Sequence, residues 1–145
     1  MPLNSSTIDL CLSVFWWAEF RKSKVGVELH TLLDVKTSIP SCILIAKASV
    51  NDVNVLDLLK YEPGGYYILD RGYTDFERLY RINLHSSFFV KRAKSNLRFK
   101  RMYSNKVETK SGVLSDQIGR LEGFYTLKYY PDKLRRIKYY DDETK

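Results

Sequence analysis

Between Tyr66 and Val90 the chain spells a strand, a turn, a capped helix and a second strand within 25 residues. Pro63-Gly64-Gly65 breaks whatever precedes it, and the short apolar run Tyr66-Tyr67-Ile68-Leu69 follows. After Asp70-Arg71-Gly72-Tyr73 comes Thr74-Asp75-Phe76-Glu77, a capping box with Thr74 as N-cap and Glu77 at the third helical position. The spacing of Phe76, Leu79, Tyr80 and Asn83 predicts a helix to about Leu84, and Ser86-Ser87 then gives way to Phe88-Phe89-Val90. Two apolar strands joined through a helix read as a β-α-β unit, parallel strands with a right-handed crossover. This β-α-β unit commits the chain to α/β layers and puts functional groups at the carboxyl ends of the strands, the place that Asp70 occupies.

The flanking segments read differently. Residues 25–35 alternate, with Val27, Leu29, Leu33 and Val35 on one face, Glu28, His30 and Asp34 on the other, and Leu32 as an exception, which predicts a half-buried strand. Pro40 opens the next run, and Cys42 to Ala46 suits a strand covered on both faces, so 25–46 is a hairpin. Ser49 or Asn51 can cap a helix carrying Val53, Leu56 and Leu59. From residue 97 the pattern is all-β: LRFKRMY, QIGRLEGFY and LRRIKYY are separated by Ser104-Asn105, Ser111-Gly112 and Pro131-Asp132, and no helix is predicted.

At 145 residues a single core is the default. The longest apolar runs fall far short of the ~18–20 residues that a membrane span needs, and no leader pattern opens the chain. Cys11 and Cys42 make no disulfide framework, and two histidines with two cysteines make no zinc cluster. A reducing cytoplasm is the expected compartment. The formal charge of +7 is unevenly spread: residues 1–77 carry a net of −3, residues 78–110 a net of +9, and the remainder +1. A local excess of this kind favours a polyanionic partner.

Asp70 is the foremost candidate for chemistry, since a carboxylate at a strand end can hold a hard divalent cation through oxygen. An Asp there is also an ordinary strand-to-helix turn residue. Two-metal phosphoryl transfer needs further acids, and Asp9, Asp34 and Asp52 are those available in the first half. Arg71 is either a phosphate ligand or a partner keeping Asp70 ionised. Lys91, Arg92, Lys94, Arg98, Lys100 and Arg101, interleaved with Phe99 and Tyr103, read as a face that tracks phosphates and stacks on bases, or as a solvated charge run. His30 and His85 read as surface or satisfied core histidines, Tyr73 as packing, and Phe15-Trp16-Trp17 with Phe20 as an aromatic core patch.

Three stretches together, LNSSTIDLCLSVFWWAEFRKSKVGVELHTLLDV, IPSCILIAKASVNDVNVLDLL and YYILDRGYTDFERLYRINLHSSFFVKRAKSNLRFKRMYS, resemble the DDE transposases of bacterial insertion sequences, in the insertion-sequence-four group. The Asp-Arg-Gly-Tyr box is the most specific part. The resemblance implies an α/β, ribonuclease H-like mixed sheet with flanking helices over 1–95, and a β-rich insertion over 96–145. It also implies nicking and strand transfer of DNA at transposon ends with Mg²⁺ or Mn²⁺.

Carried over residue by residue, Asp70 matches the family's second catalytic Asp and would bind the metal. The first belongs in the opening strand, where the family pattern reads Asp-Ser-Thr-Thr-Ile-Asp-Leu and this chain reads Asn4-Ser5-Ser6-Thr7-Ile8-Asp9-Leu10. Asn4 thus occupies the acidic position, and Asp9, five residues along a strand, points to the other face. The family's third acid, a Glu on a later helix, falls beyond Lys145. The resemblance therefore implies a transposase fragment truncated at both ends, inactive in cleavage yet able to contact DNA, with dimers or mixed oligomers with full-length transposase as partners. The alternative from another class is a small basic non-catalytic nucleic-acid-binding module built from residues 88–140. The two differ on one point: a catalytic remnant requires Asn4 and Asp70 on adjacent strands with their side chains within metal-bridging reach, and a binding module requires no such convergence.

Overall fold

The computed structural model describes residues 1–10, 19–21, 24–47, 52–108 and 112–140. The aromatic patch at Phe15-Trp16-Trp17, the caps at Ser49 and Asn51, and Cys11 lie outside the described residues. The chain divides into two compact units, Met1–Ala93 and Lys94–Lys145.

In the first unit β1 (Pro2–Leu10) pairs antiparallel with β3 (Lys24–Asp34), and β3 pairs antiparallel with β4 (Ile39–Lys47). The short β2 (Glu19–Arg21) lies against the start of β3. On the other side of β1 come β5 (Tyr66–Leu69) and β6 (Phe88–Lys91), both parallel. The sheet therefore runs β4-β3-β1-β5-β6, an antiparallel half joined to a parallel one. The β-α-β unit is as the sequence spacing requires, with α1 (Phe76–Leu84) as its crossover. Gly64, at φ 77°, turns the chain into β5, and its N–H donates to the Ser86 carbonyl at 2.8 Å, tying the two ends of the crossover together.

One face of this sheet is packed. Leu3, Leu32, Tyr67 and Leu69 are buried on it, as are Leu79 and Ile82 of α1 and Val55, Leu56 and Leu59 in and after the 3₁₀ turn Asp52–Asp57. The residues expected to form a capped α-helix thus make a 3₁₀ turn, which brings Val55 rather than Val53 into the core.

On the opposite face the described side chains are largely exposed. Ile43, Ile45, Tyr66, Ile68, Phe88 and Val90 are all exposed there, Ile45 to 72 %. Two sequence expectations are corrected by this. The run Cys42 to Ala46 is covered on one face only. The buried side of β3 is the His30–Leu32 side, where Tyr73 reaches His30, and Leu32 is no exception to the alternation but part of the core.

In the second unit β8 (Val113–Leu121) is the middle of an antiparallel sheet, with β7 (Phe99–Ser104) and β9 (Leu134–Tyr139) beside it. Gly119 is required there: a Cβ would stand 2.3 Å from the Lys100 carbonyl oxygen and 2.7 Å from the Phe99 ring, which lies over it. Asp116 is buried in β8 and accepts two hydrogen bonds from the Arg135 guanidinium at 2.9 and 2.8 Å, plus one from Asn105.

The all-β expectation fails at one place. Phe124–Tyr129 forms a helix, α2, entered through Gly123 at φ 108°. Phe124 and Tyr125 favour strands by type, yet the strand ends at Leu121 and Gly123 redirects the chain. No helix among the described residues is long and apolar enough to cross a membrane.

Candidate functional site

Leu3 pairs with Leu69 across the parallel β1–β5 ladder, so Asn4 and Asp70 are the residues that follow directly on that pair. Leu3 and Leu69 point into the core; Asn4 and Asp70, one step on, are exposed on the opposite face. Both line a groove of about 630 Å³. Thr31, Ile68, Val90 and Arg92 line it with them, Thr31 being the cross-strand partner of Asn4 on β3. The two residues thus follow neighbouring register positions of adjacent strands and line one groove.

The turn that carries Asp70 is closed by its own backbone and by groups from other strands. The Tyr73 N–H donates to the Asp70 carbonyl at 3.2 Å and the Thr74 N–H to the Gly72 carbonyl at 2.8 Å. The Thr74 hydroxyl donates to the Arg71 carbonyl at 2.7 Å and accepts from the Lys91 ammonium at 2.5 Å, while Lys91 also donates to the Tyr73 carbonyl. Since its hydroxyl is engaged in this way, Thr74 is not the helix cap. Asp75 is: its carboxylate accepts the Arg78 N–H and the Arg78 guanidinium. Tyr73 itself is buried, and its hydroxyl shares a 3.0 Å hydrogen bond with Nδ1 of His30. His30 is a core histidine bonded through Nδ1, the buried one of the two readings the sequence left open.

Arg78 also grips Asp57 in the 3₁₀ turn, through two hydrogen bonds of 3.0 and 2.6 Å, and Arg81 holds the other oxygen. The Arg78 hydrogen bonds lower the Asp57 pKa below its ordinary value, and Asp57 in turn raises that of Arg78. In the second unit the Arg135 hydrogen bonds, with that of Asn105, hold the Asp116 carboxyl below its ordinary value. Burial pushes the Tyr61 hydroxyl up to about 12, consistent with its donation to the Leu56 carbonyl.

The basic run is divided between the two units. Lys91 and Arg92 belong to the first unit, and Lys94, Arg98, Lys100 and Arg101 to the second. Lys91 is engaged by the turn. Arg92 is exposed at the groove; Arg71 is exposed, does not line it, and among the described residues makes no ion pair with Asp70. Lys94 and Arg98 are exposed, and alternation along β7 sends Lys100 and Arg101 to opposite faces of its sheet.

Register then reveals cations that the sequence reading missed. Lys100 faces Arg120 across β7–β8, and Arg136 stacks its guanidinium 4.3 Å from the Phe99 ring centroid on the other face. Together the three strands hold Lys100, Arg101, Arg120, Arg135, Arg136 and Lys138 against a single acid, Asp116. The signal was in the sequence but cancelled, because Asp141, Asp142 and Glu143 bring the net charge of the last 35 residues down to +1.

As oxygen donors, Asp70 offers a carboxylate and Asn4 an amide carbonyl, a set that suits one hard divalent cation. It does not suit a pair: among the described residues no three acidic, His or Cys side chains come together. Asp34 directs its carboxylate to the Lys36 N–H in the β3–β4 turn, and Asp34 does not line the groove.

The family model described as Transposase DDE domain matches residues 6–143, a span that includes Asp70 and begins two residues after Asn4. No curated protein and no solved structure matches the chain. With 138 of its 145 residues under that one model, the chain belongs to the transposase DDE domain family.

Proposed function

We propose that this chain carries the DNA phosphoryl-transfer core of a transposase in a form that contacts DNA and does not cleave it. The observation that carries the reading is the register that brings Asn4, early in β1, level with Asp70, just past the carboxyl end of the parallel β5, both lining one groove. The strand order supports a ribonuclease H-like core: three antiparallel strands, then two parallel strands added on the far side of the first. On this reading residues 1–95 are the core and 96–145 a β-rich insertion.

Asp70 and Asn4 are the groups that would hold a Mg²⁺ or Mn²⁺ ion, which when bound supplies a Lewis acid for a phosphodiester oxygen. The chain's own contribution is positional. The β1–β5 register supports bringing residues 4 and 70 to one site, Arg92 would offer a cation to a phosphate in the groove, and the apolar Ile68 and Val90 line it. With an amide in place of one carboxylate, the site lacks the negative charge that two cations need, so strand cleavage is not supported.

Incubation of the 145-residue chain with supercoiled DNA, and with DNA carrying its own flanking ends, tests this directly. Expected is retention of DNA with no nicking above buffer in Mg²⁺ or Mn²⁺. Metal-dependent nicking that disappears in Asp70→Asn would overturn the non-cleaving part and keep the site; nicking unaffected by that change would overturn the site.

A second reading, a purely nucleic-acid-binding module, is favoured by one observation: six strand cations against one acid on β7–β9. It makes no use of the Asn4–Asp70 pair, which is why the first reading is preferred.

A further inference from the structure

The Asp70 turn is tied to the sheet from the packed face by Tyr73 and His30, and from the groove by Lys91, which also lines it. Tyr73 leaves the turn and runs into the core, 1 % exposed, to reach His30 on β3, itself 1 % exposed. They meet through a 3.0 Å hydrogen bond, with the rings edge to face at 6.3 Å. Between β5, which ends at the turn, and β3, which carries His30, lies β1 with Asn4. The Tyr73–His30 bridge therefore passes beneath the strand that bears the other half of the site. Glu28, two residues before His30 on the same face of β3, places a carboxylate oxygen 3.7 Å from Nε2. That favours the proton on Nε2 and leaves the Nδ1 lone pair to accept from the Tyr73 hydroxyl. From the opposite direction, Lys91 on β6 holds the Tyr73 carbonyl and the Thr74 hydroxyl.

We propose that Tyr73 and His30, with Lys91 as a second tie, are positioning residues: they fix the Asp70 turn against β1 so that the Asp70 carboxylate stands beside the side chain of residue 4. The inference rests on the reading of Asn4 and Asp70 as one cation-binding site. A backbone turn at a strand end, closed only by its own 2.8 and 3.2 Å bonds, leaves the carboxylate direction free to swing. Anchoring from strands on both sides removes that freedom, as outer hydrogen-bond partners do for metal ligands elsewhere.

The test is Mn²⁺ binding by water-proton relaxation, on the full chain with Asn4→Asp, which supplies a second carboxylate and a measurable affinity. Asp70→Asn in that chain defines the site. Tyr73→Phe, which keeps the ring and removes the hydroxyl, is expected to weaken Mn²⁺ binding roughly tenfold, and His30→Ala to do the same. His30→Asn, whose amide falls near the place of Nδ1, should restore most of it. Circular dichroism establishes that each variant is folded at the assay temperature; should His30→Ala not fold, Tyr73→Phe decides alone. Affinities of Tyr73→Phe and His30→Ala equal to the parent, with Asp70→Asn abolishing binding, overturn the positioning role and leave the site intact. Binding indifferent to Asp70→Asn removes the site and this inference with it.

Discussion

At the residue scale, two carboxylates are placed to respond to acid. Asp57 and Asp116 both titrate below their ordinary value of 3.8, the first because of Arg78 and Arg81, the second because of Arg135 and Asn105. A carboxylate whose folded pKa lies below its unfolded one stabilises the fold fully above the unfolded value and loses that effect as pH falls through the folded one. The expected result is an acid transition, followed by circular dichroism, that moves to higher pH in Arg135→Ala. An unmoved midpoint would show that the Asp116–Arg135 pair does not hold β8 to β9. Legibility at this scale was uneven. The place of Asp70 could be read because an apolar strand and a capped helix bracket it. The cap itself could not, since Thr74 and Asp75 are both good caps and the choice falls to Lys91, 17 residues away. Tyr73 read as packing for a similar reason, because nothing local announces a partner 43 residues earlier.

At the element scale, β8 depends on one small residue. Gly119→Ala would press a methyl group against the Lys100 carbonyl and the Phe99 ring that Arg136 covers. Overpacking of this sort is expected to cost about 1–3 kcal/mol, seen as a lower urea midpoint; an unchanged midpoint would mean that β7 can move aside. The strands β3 to β6 were legible from their alternation and breakers, while their faces were not. Period two tells which residues share a side, and which side is covered depends on partners distant in sequence, such as Tyr73, 43 residues from His30. The polar side of β3 is thereby the inner one. Helix α2 was missed because aromatic residues are counted toward strands, and only the backbone at Gly123 cancels that preference.

At the scale of the whole molecule, charge is divided between the units. Residues 1–93 carry a net of +1 and residues 94–145 a net of +6. Polyanion affinity should therefore follow the second unit. Replacing Arg98, Lys100 and Arg101 together by Ala is expected to weaken duplex binding and to flatten its dependence on salt, by roughly one unit of slope for each phosphate that is no longer neutralised. Affinity unmoved at low salt would identify this run as solvated surface and shift attention to Arg120, Arg136 and Lys138. Family membership, by contrast, was legible from the amino-acid order around Asp70, because the motif is local while the charge map depends on strand pairing.

The pairing of Leu3 with Leu69 has a genetic consequence. Strand faces alternate with a period of two, so a single-codon insertion or deletion between Tyr66 and Asp70 would keep β5 paired with β1 and exchange its sides. Asp70 would turn toward the core and Leu69 into the groove. The locus should thus accept many base substitutions here before it accepts one change in length.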